Sequence, residues 1–327
     1  MRRRGLWACL IVLGVLAGVG VTMLSRSWTT SAKAAAAPAP APIDAARAYG
    51  YLKAICGLGP RPAGSAANTR QRAMVAAHFK KMGAAVREQT FEANEPRTGV
   101  KVAMANLIGA WHPERTQRVV LGAHYDTRPF PDQERDPTRR SLPFLGANDG
   151  ASGVALLMEI AHHLDGLPTP WGVDLILFDG EELVYGQEGE YFLGSKAFAR
   201  AYDESVRSRR ATSRYVAALV LDMVGDRNLQ IDQEQHSYNF TFNLVQEVWG
   251  VARRLKATAF RNRIGMAVND DHLPLIEAGI PAIDLIDFDY PYWHTARDLP
   301  EQCSGESLAQ VGRVVTAWLA QPRPQQR

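Results

Sequence analysis

The chain has 327 residues, 46% apolar and 22% charged, so it holds enough apolar material for a packed core and too much to be read as disordered. Its formal net charge of +3 comes from the N-terminus: residues 1–34 carry five basic and no acidic residues, leaving 32 basic against 34 acidic in the remainder, a net −2. That balance gives no reason to expect a polyanion, and no nucleic-acid partner is predicted.

Residues 1–34 open with Arg2, Arg3 and Arg4 and continue into a 20-residue uncharged run, Gly5 to Leu24. A positive segment before a membrane-length apolar helix reads as an uncleaved anchor or, with Ala32-Lys33-Ala34 as the processing site, a cleaved signal peptide. Either reading exports the rest of the chain, to a periplasmic or extracellular position or to the outer side of a membrane. Residues 35–42, rich in Ala and Pro, read as a semi-rigid tether. Residues 43–327 form the expected catalytic domain.

In that domain "IDAARAYGYLKAIC" predicts a helix stopped by Gly57, and "NTRQRAMVAAHFKKM" a second. "AAVREQTFEA" and "VKVAMANLIGAW" alternate as strands do, and "RVVLGAH" is an apolar strand. Thereafter strand and helix alternate: helix "DGASGVALLMEIAHHL", strand "VDLILFD", helix near "GSKAFARAY", strand "YVAALVLDMVG", helix "FTFNLVQEVWGVARRL", strand "IPAIDLID" and helix "SGESLAQVGRVVTAWLA". This order predicts one α/β domain with a mixed, mostly parallel central sheet flanked by helices on both faces. Cys56 and Cys303 are an even pair in an exported domain, either bridged or separately buried.

In sheets of this kind the site lies beyond the carboxyl ends of the strands. There the sequence puts His124 and Asp126, the adjacent Glu181 and Glu182, Asp222 and His294, with Asp149 at the start of the helix after the first of these strands. Any one of them alone is more simply a helix cap, a turn former or a hydrogen-bonded loop residue. Together they are not asked for by core packing. Carboxylates mixed with imidazoles suit zinc, and crowded carboxylates need a neutralising cation.

The ordered motifs "GAHYDTRPF", "GANDGASG", "FDGEE", "LDMVG", "NDDHLPLIEAGIPAIDLI" and "YWHT" resemble those of the zinc aminopeptidase-like superfamily, and more closely its glutaminyl cyclase branch. The doubled acid of "DDH", Trp293 before His294, and "LDMVG" tilt the resemblance toward the cyclases. The pocket Trp that animal cyclases carry soon after the Glu pair is missing, as is the animal disulfide beside the "HYD" motif, where Ala123 stands. The resemblance implies zinc ligands at Asp149, Glu182 and His294, an acid/base carboxylate at Glu181, supporting acids at Asp222 and at Asp270 or Asp271, and a pocket wall at Trp293. One zinc ion is implied for a cyclase. Two are implied for an aminopeptidase, with His124 and Asp222 completing the second site. The implied substrates are peptide or protein N-termini. The cyclase reading is transfer of an N-terminal glutamine's own acyl group to its amine, with release of ammonia; the alternative is di-zinc aminopeptidase hydrolysis. The aperiodic connection between the His124 and Asp149 motifs reads either as a solvated insertion or as a rim of the site.

Overall fold

The structure is a computed structural model and describes residues 42–186 and 188–322; the N-terminal apolar helix and most of the tether fall outside the described residues. Helix α1 (Ala45–Cys56) begins where Asp44 accepts a hydrogen bond from Arg47 N–H, and α2 (Ala66–Lys81) where Ser65 accepts one from Asn68 N–H. Caps of this type are worth about 1 kcal/mol each. Strands β1 (Ala85–Asn94), β2 (Lys101–Trp111) and β3 (Gln117–His124) follow, then α3 (Ala151–Ala161) and β4 (Gly172–Phe178). A two-rung hairpin, β5 (Val184–Tyr185) and β6 (Glu188–Gly189), precedes α4 (Leu193–Arg207) and β7 (Arg214–Asp222). The chain closes through β8 (Ile231–Gln233), α5 (Gln235–Phe240), α6 (Phe242–Leu255), β9 (Phe260–Ile264), α7 (His272–Glu277), β10 (Ala282–Ile286) and α8 (Gly305–Leu319).

The central sheet has the order β1-β2-β4-β3-β7-β10. Strands β4, β3, β7 and β10 are parallel, and β2 and β1 extend the sheet antiparallel from the β4 edge, which gives the mixed sheet expected. All seven residues of β4 are buried. Successive side chains divide between the faces: Val119, Leu121, Leu175 and Leu177 pack toward α1, α3, α6 and α8, while Val120, Ile176 and Phe178 pack toward α4 and α7. Each such side chain contributes roughly 1.5–3 kcal/mol by leaving water. Asp174, the one carboxylate inside β4, is held by the Arg118 guanidinium (2.5 and 3.2 Å) and the Tyr215 hydroxyl (2.6 Å), so this buried charge is paired.

Every residue of α3 is buried, and a β-carbon on Gly153 would stand 2.1 Å from Leu221 O, so only glycine lets this helix lie so close to β7. Gly150, at φ +93, turns the chain into the helix immediately after Asp149. Cys56 and Cys303 fill core positions as free buried thiols and are not bridged. The helix predicted from Phe240 is α6, beginning two residues later at Phe242; a short helix not predicted, α5, precedes it, and Thr241 stands between the two with its hydroxyl oxygen 2.8 Å from Ala282 O of β10. Among the described residues no helix is long and apolar enough to cross a membrane.

Candidate metal centre and active site

Strands β3, β4 and β7 and the loop after β10 all end at one edge, and there the predicted residues converge. Asp149, Glu182 and His294 are buried and can each direct a ligand atom to within 4.8 Å of the others. His294 Nε2 lies 2.8 Å from Glu182 Oε1 and 3.5 Å from Asp149 Oδ2. A second group shares Asp149: His124 Nε2 is 3.2 Å from Asp149 Oδ1 and 3.1 Å from Asp222 Oδ1.

The two glutamates are parted by their anchoring. Asp126 accepts hydrogen bonds from the backbone N–H of both Glu181 (3.1 Å) and Glu182 (3.0 Å), fixing the turn after β4. From that turn Glu182 reaches His294 and accepts from Arg128, through its backbone N–H (2.8 Å) and guanidinium (3.3 Å). Glu181 instead passes His124 Nδ1 at 3.9 Å and lines a cavity of about 290 Å³ with Asp222, Asp270 and Trp293.

Burial and the neighbouring Glu182 push the Asp149 carboxyl up to about 6. Burial likewise holds Glu181 well above the usual carboxylate range, against the pull of His124 and with the push of Glu182 and Asp270. Glu182 goes the other way: burial opposes its ionisation, but His294 and Arg128 outweigh it. The Asp270 carboxyl is driven up to about 7 by burial and by Asp222. The neighbours thus have different environments, one ion-paired and one shielded, as division of labour between two carboxylates requires.

Do these residues fit a zinc ion? Asp149 Oδ2 is buried without a hydrogen-bond partner, and three buried carboxylates crowd a site that only cations relieve. The donors are carboxylate oxygens and imidazole nitrogens, the set zinc takes at catalytic sites. The fit is good. His294 is further placed by Asp132, whose Oδ1 lies 3.1 Å from Nδ1, by the Trp293 ring stacked at 3.8 Å, and by a left-handed backbone at φ +55, uncommon for a residue other than glycine.

Asp270 and Asp271 separate. Asp270 faces the cavity, whereas Asp271 is fully buried with its carboxylate accepting from Ser195 Oγ at 2.5 Å, away from the lining. Behind Asp270 lies a buried group not anticipated from sequence: His272 Nε2 is 3.3 Å from Glu234 Oε2, and Nδ1 is 4.0 Å from Asp284. Also unanticipated are Asp132, Arg128 and Asp298, whose carboxylate accepts from Asn148 N–H (2.8 Å) and Asp149 N–H (3.1 Å) and so fixes the loop that presents Asp149. The aromatic wall missing just after the Glu pair is supplied farther along by Tyr191 and Phe192. The connection between the His124 and Asp149 motifs has two parts. Residues up to Glu134 bind the site, with Gln133 N–H donating to His294 O and Glu134 accepting from Ala296 N–H, while residues 135–143 are exposed.

The chain belongs to peptidase family M28, whose model matches residues 106–319. Within that family it falls in the glutaminyl cyclase branch. It is similar over 86% of its length to a Fimbriiglobus ruber glutaminyl cyclase, with 39% identity, a TM-score of 0.83 and 96% of that chain covered. A glutaminyl-peptide cyclotransferase of Gloydius blomhoffii is 25% identical over 269 residues, 72% of this chain and 69% of that protein. A Zn-dependent exopeptidase from Parabacteroides distasonis matches at 32% identity and a TM-score of 0.78, over 86% of this chain and 100% of its own. Proteins named as glutaminyl cyclases and as a Zn-dependent exopeptidase thus share this fold.

Proposed function

We propose that the protein is a zinc-dependent glutaminyl-peptide cyclotransferase, converting N-terminal glutamine of peptides to pyroglutamate with release of ammonia. The observation that carries this is the cavity in which Glu181, Asp222, Asp270 and Trp293 surround one side of the Asp149–Glu182–His294 group. Asp149, Glu182 and His294 would hold one zinc ion. When bound, that ion supplies Lewis-acid polarisation of the glutamine side-chain carbonyl.

The remaining work falls to the chain. Trp293, Phe192 and Phe288 wall the cavity and orient the glutamine side chain, so that its own α-amine meets its amide carbon in an intramolecular attack. Glu181 takes a proton from the attacking amine and returns it to the departing amide nitrogen. One N–C bond forms, one breaks, and ammonia leaves. Asp270, whose carboxyl is driven up to about 7 by burial and by Asp222, keeps a proton and donates a hydrogen bond to the developing negative oxygen. A shielded carboxyl such as Glu181 suits this shuttle, because burial raises its affinity for the proton above that of an ordinary carboxylate. We also propose that the domain works outside the cytoplasm, carried there by residues 1–34.

Aminopeptidase activity is the second reading, and the intact His124–Asp149–Asp222 group favours it. Purified residues 43–327, assayed side by side on a glutaminyl peptide and an aminoacyl anilide with zinc counted by mass spectrometry, should give ammonia, a peptide of unchanged length and one zinc. A shortened peptide with two zinc ions per chain would instead establish the aminopeptidase.

A further inference from the structure

A second cavity of about 300 Å³ adjoins the first, sharing Val268, Ile286 and Phe288 with it. The chain from Ile264 to Asp270 walls both: Ile264 and Met266 face the second cavity, Ala267, Asn269 and Asp270 the first, and Val268 stands between them. Ile264 and Met266 are 52% and 56% exposed, an unusual display of apolar surface beside a site. The charges lining the second cavity, Asp232, Glu234, Asp289, Arg261 and Arg263, each have a partner, Asp289 meeting Arg261 at 3.2 Å. Asp232 takes the guanidinium groups of Arg261 (2.7 Å) and Arg263 (2.9 Å), and Glu234 is bound by three backbone N–H groups and by His272.

Resting on the cyclase reading, we propose that this second cavity is a subsite for the second or third residue of the substrate, selecting apolar or aromatic side chains. The first cavity is of a size for the glutamine itself, and a peptide advances at most about 3.3–3.6 Å per residue, so a chain leaving it across Phe288 enters the second directly. An aromatic or aliphatic side chain there has Ile264, Met266 and Phe288 to pack against. A charged side chain finds its counter-ions engaged. The subsite is therefore specific through burial, not through ion pairing.

The test compares three amidated peptides, Gln-Ala-Ala, Gln-Phe-Ala and Gln-Ala-Phe, in wild type and in Met266→Asp and Ile264→Asp. One of the two Phe peptides should exceed Gln-Ala-Ala in kcat/KM by about tenfold, through a lower KM. That ratio should fall to near one in both variants, with melting temperature and zinc content unchanged, since both side chains are largely exposed. A wild-type ratio near one for both Phe peptides, or a ratio the variants leave intact, overturns the subsite while cyclisation itself stands. If no peptide is cyclised, the cyclase reading fails and the subsite with it.

Discussion

Glu182 and His294 face each other across 2.8 Å, and each has a second partner that aims it: Arg128 for the glutamate, Asp132 for the imidazole. An outer partner of a metal ligand typically matters by a factor of about 10–100 in metal affinity, whereas loss of one of three protein ligands is far more damaging. Asp132→Asn should therefore keep zinc under saturating conditions but release it to a chelator at about 10–100 times lower chelator strength. Glu182→Ala should be isolated largely free of zinc. Full zinc content in Glu182→Ala, measured by plasma mass spectrometry, would remove that residue from the ligand set. The ligand candidates were legible in the sequence because each follows an apolar strand or opens the helix after one. Asp132 was not, because it sits in an aperiodic stretch whose register no hydrophobic pattern sets. The choice between Asp270 and Asp271 was equally hidden, since it depends on Ser195 in a different helix taking up one of the two.

At the scale of elements, α1 is fastened to α3 by Glu159, which accepts from Arg47 Nε (2.6 Å), Arg47 Nη2 (2.7 Å) and Asp44 N–H (2.8 Å) and lies 3.1 Å from His163 Nε2. Burial disfavours its charge, but His163, Arg47 and the Asp44 N–H prevail and hold the carboxyl down at about 2, against an ordinary 4.5. A folded-state value below the unfolded one stabilises the fold above about 4.5, and that contribution is lost as pH falls from there toward about 2. Allowing for the partial exposure of Arg47, it amounts to roughly 2 kcal/mol. In urea unfolding, wild type should lose stability between about pH 5 and pH 2 more steeply than Glu159→Gln by about that amount. Parallel pH profiles for the two proteins would show that the contact does not stabilise the fold. The main helices and strands could be anticipated because their periodicity is strong and the parallel strands are buried on both faces. The short pieces β5, β6, β8, β9 and α7 could not, being too brief for a period to register. Helix α5 was missed for the same reason, since its six residues give less than two turns of pattern.

For the molecule as a whole, four parallel strands and the helices on their two faces bring to one edge a set of charges that would be untenable elsewhere, and the chemistry depends on how that set is divided. The central proposal is that two adjacent glutamates have separate tasks: Glu182, paired with His294 and Arg128, would hold the metal, and Glu181, which lines the cavity without such a pair, would move protons. The most direct measurement is the turnover of a glutaminyl peptide by Glu181→Gln, with zinc content determined on the same sample. Because Gln has the shape of Glu but cannot shuttle a proton, the variant should retain its zinc and its KM while kcat falls by about 10²–10⁴-fold. Near-normal kcat in a zinc-replete Glu181→Gln would contradict the account.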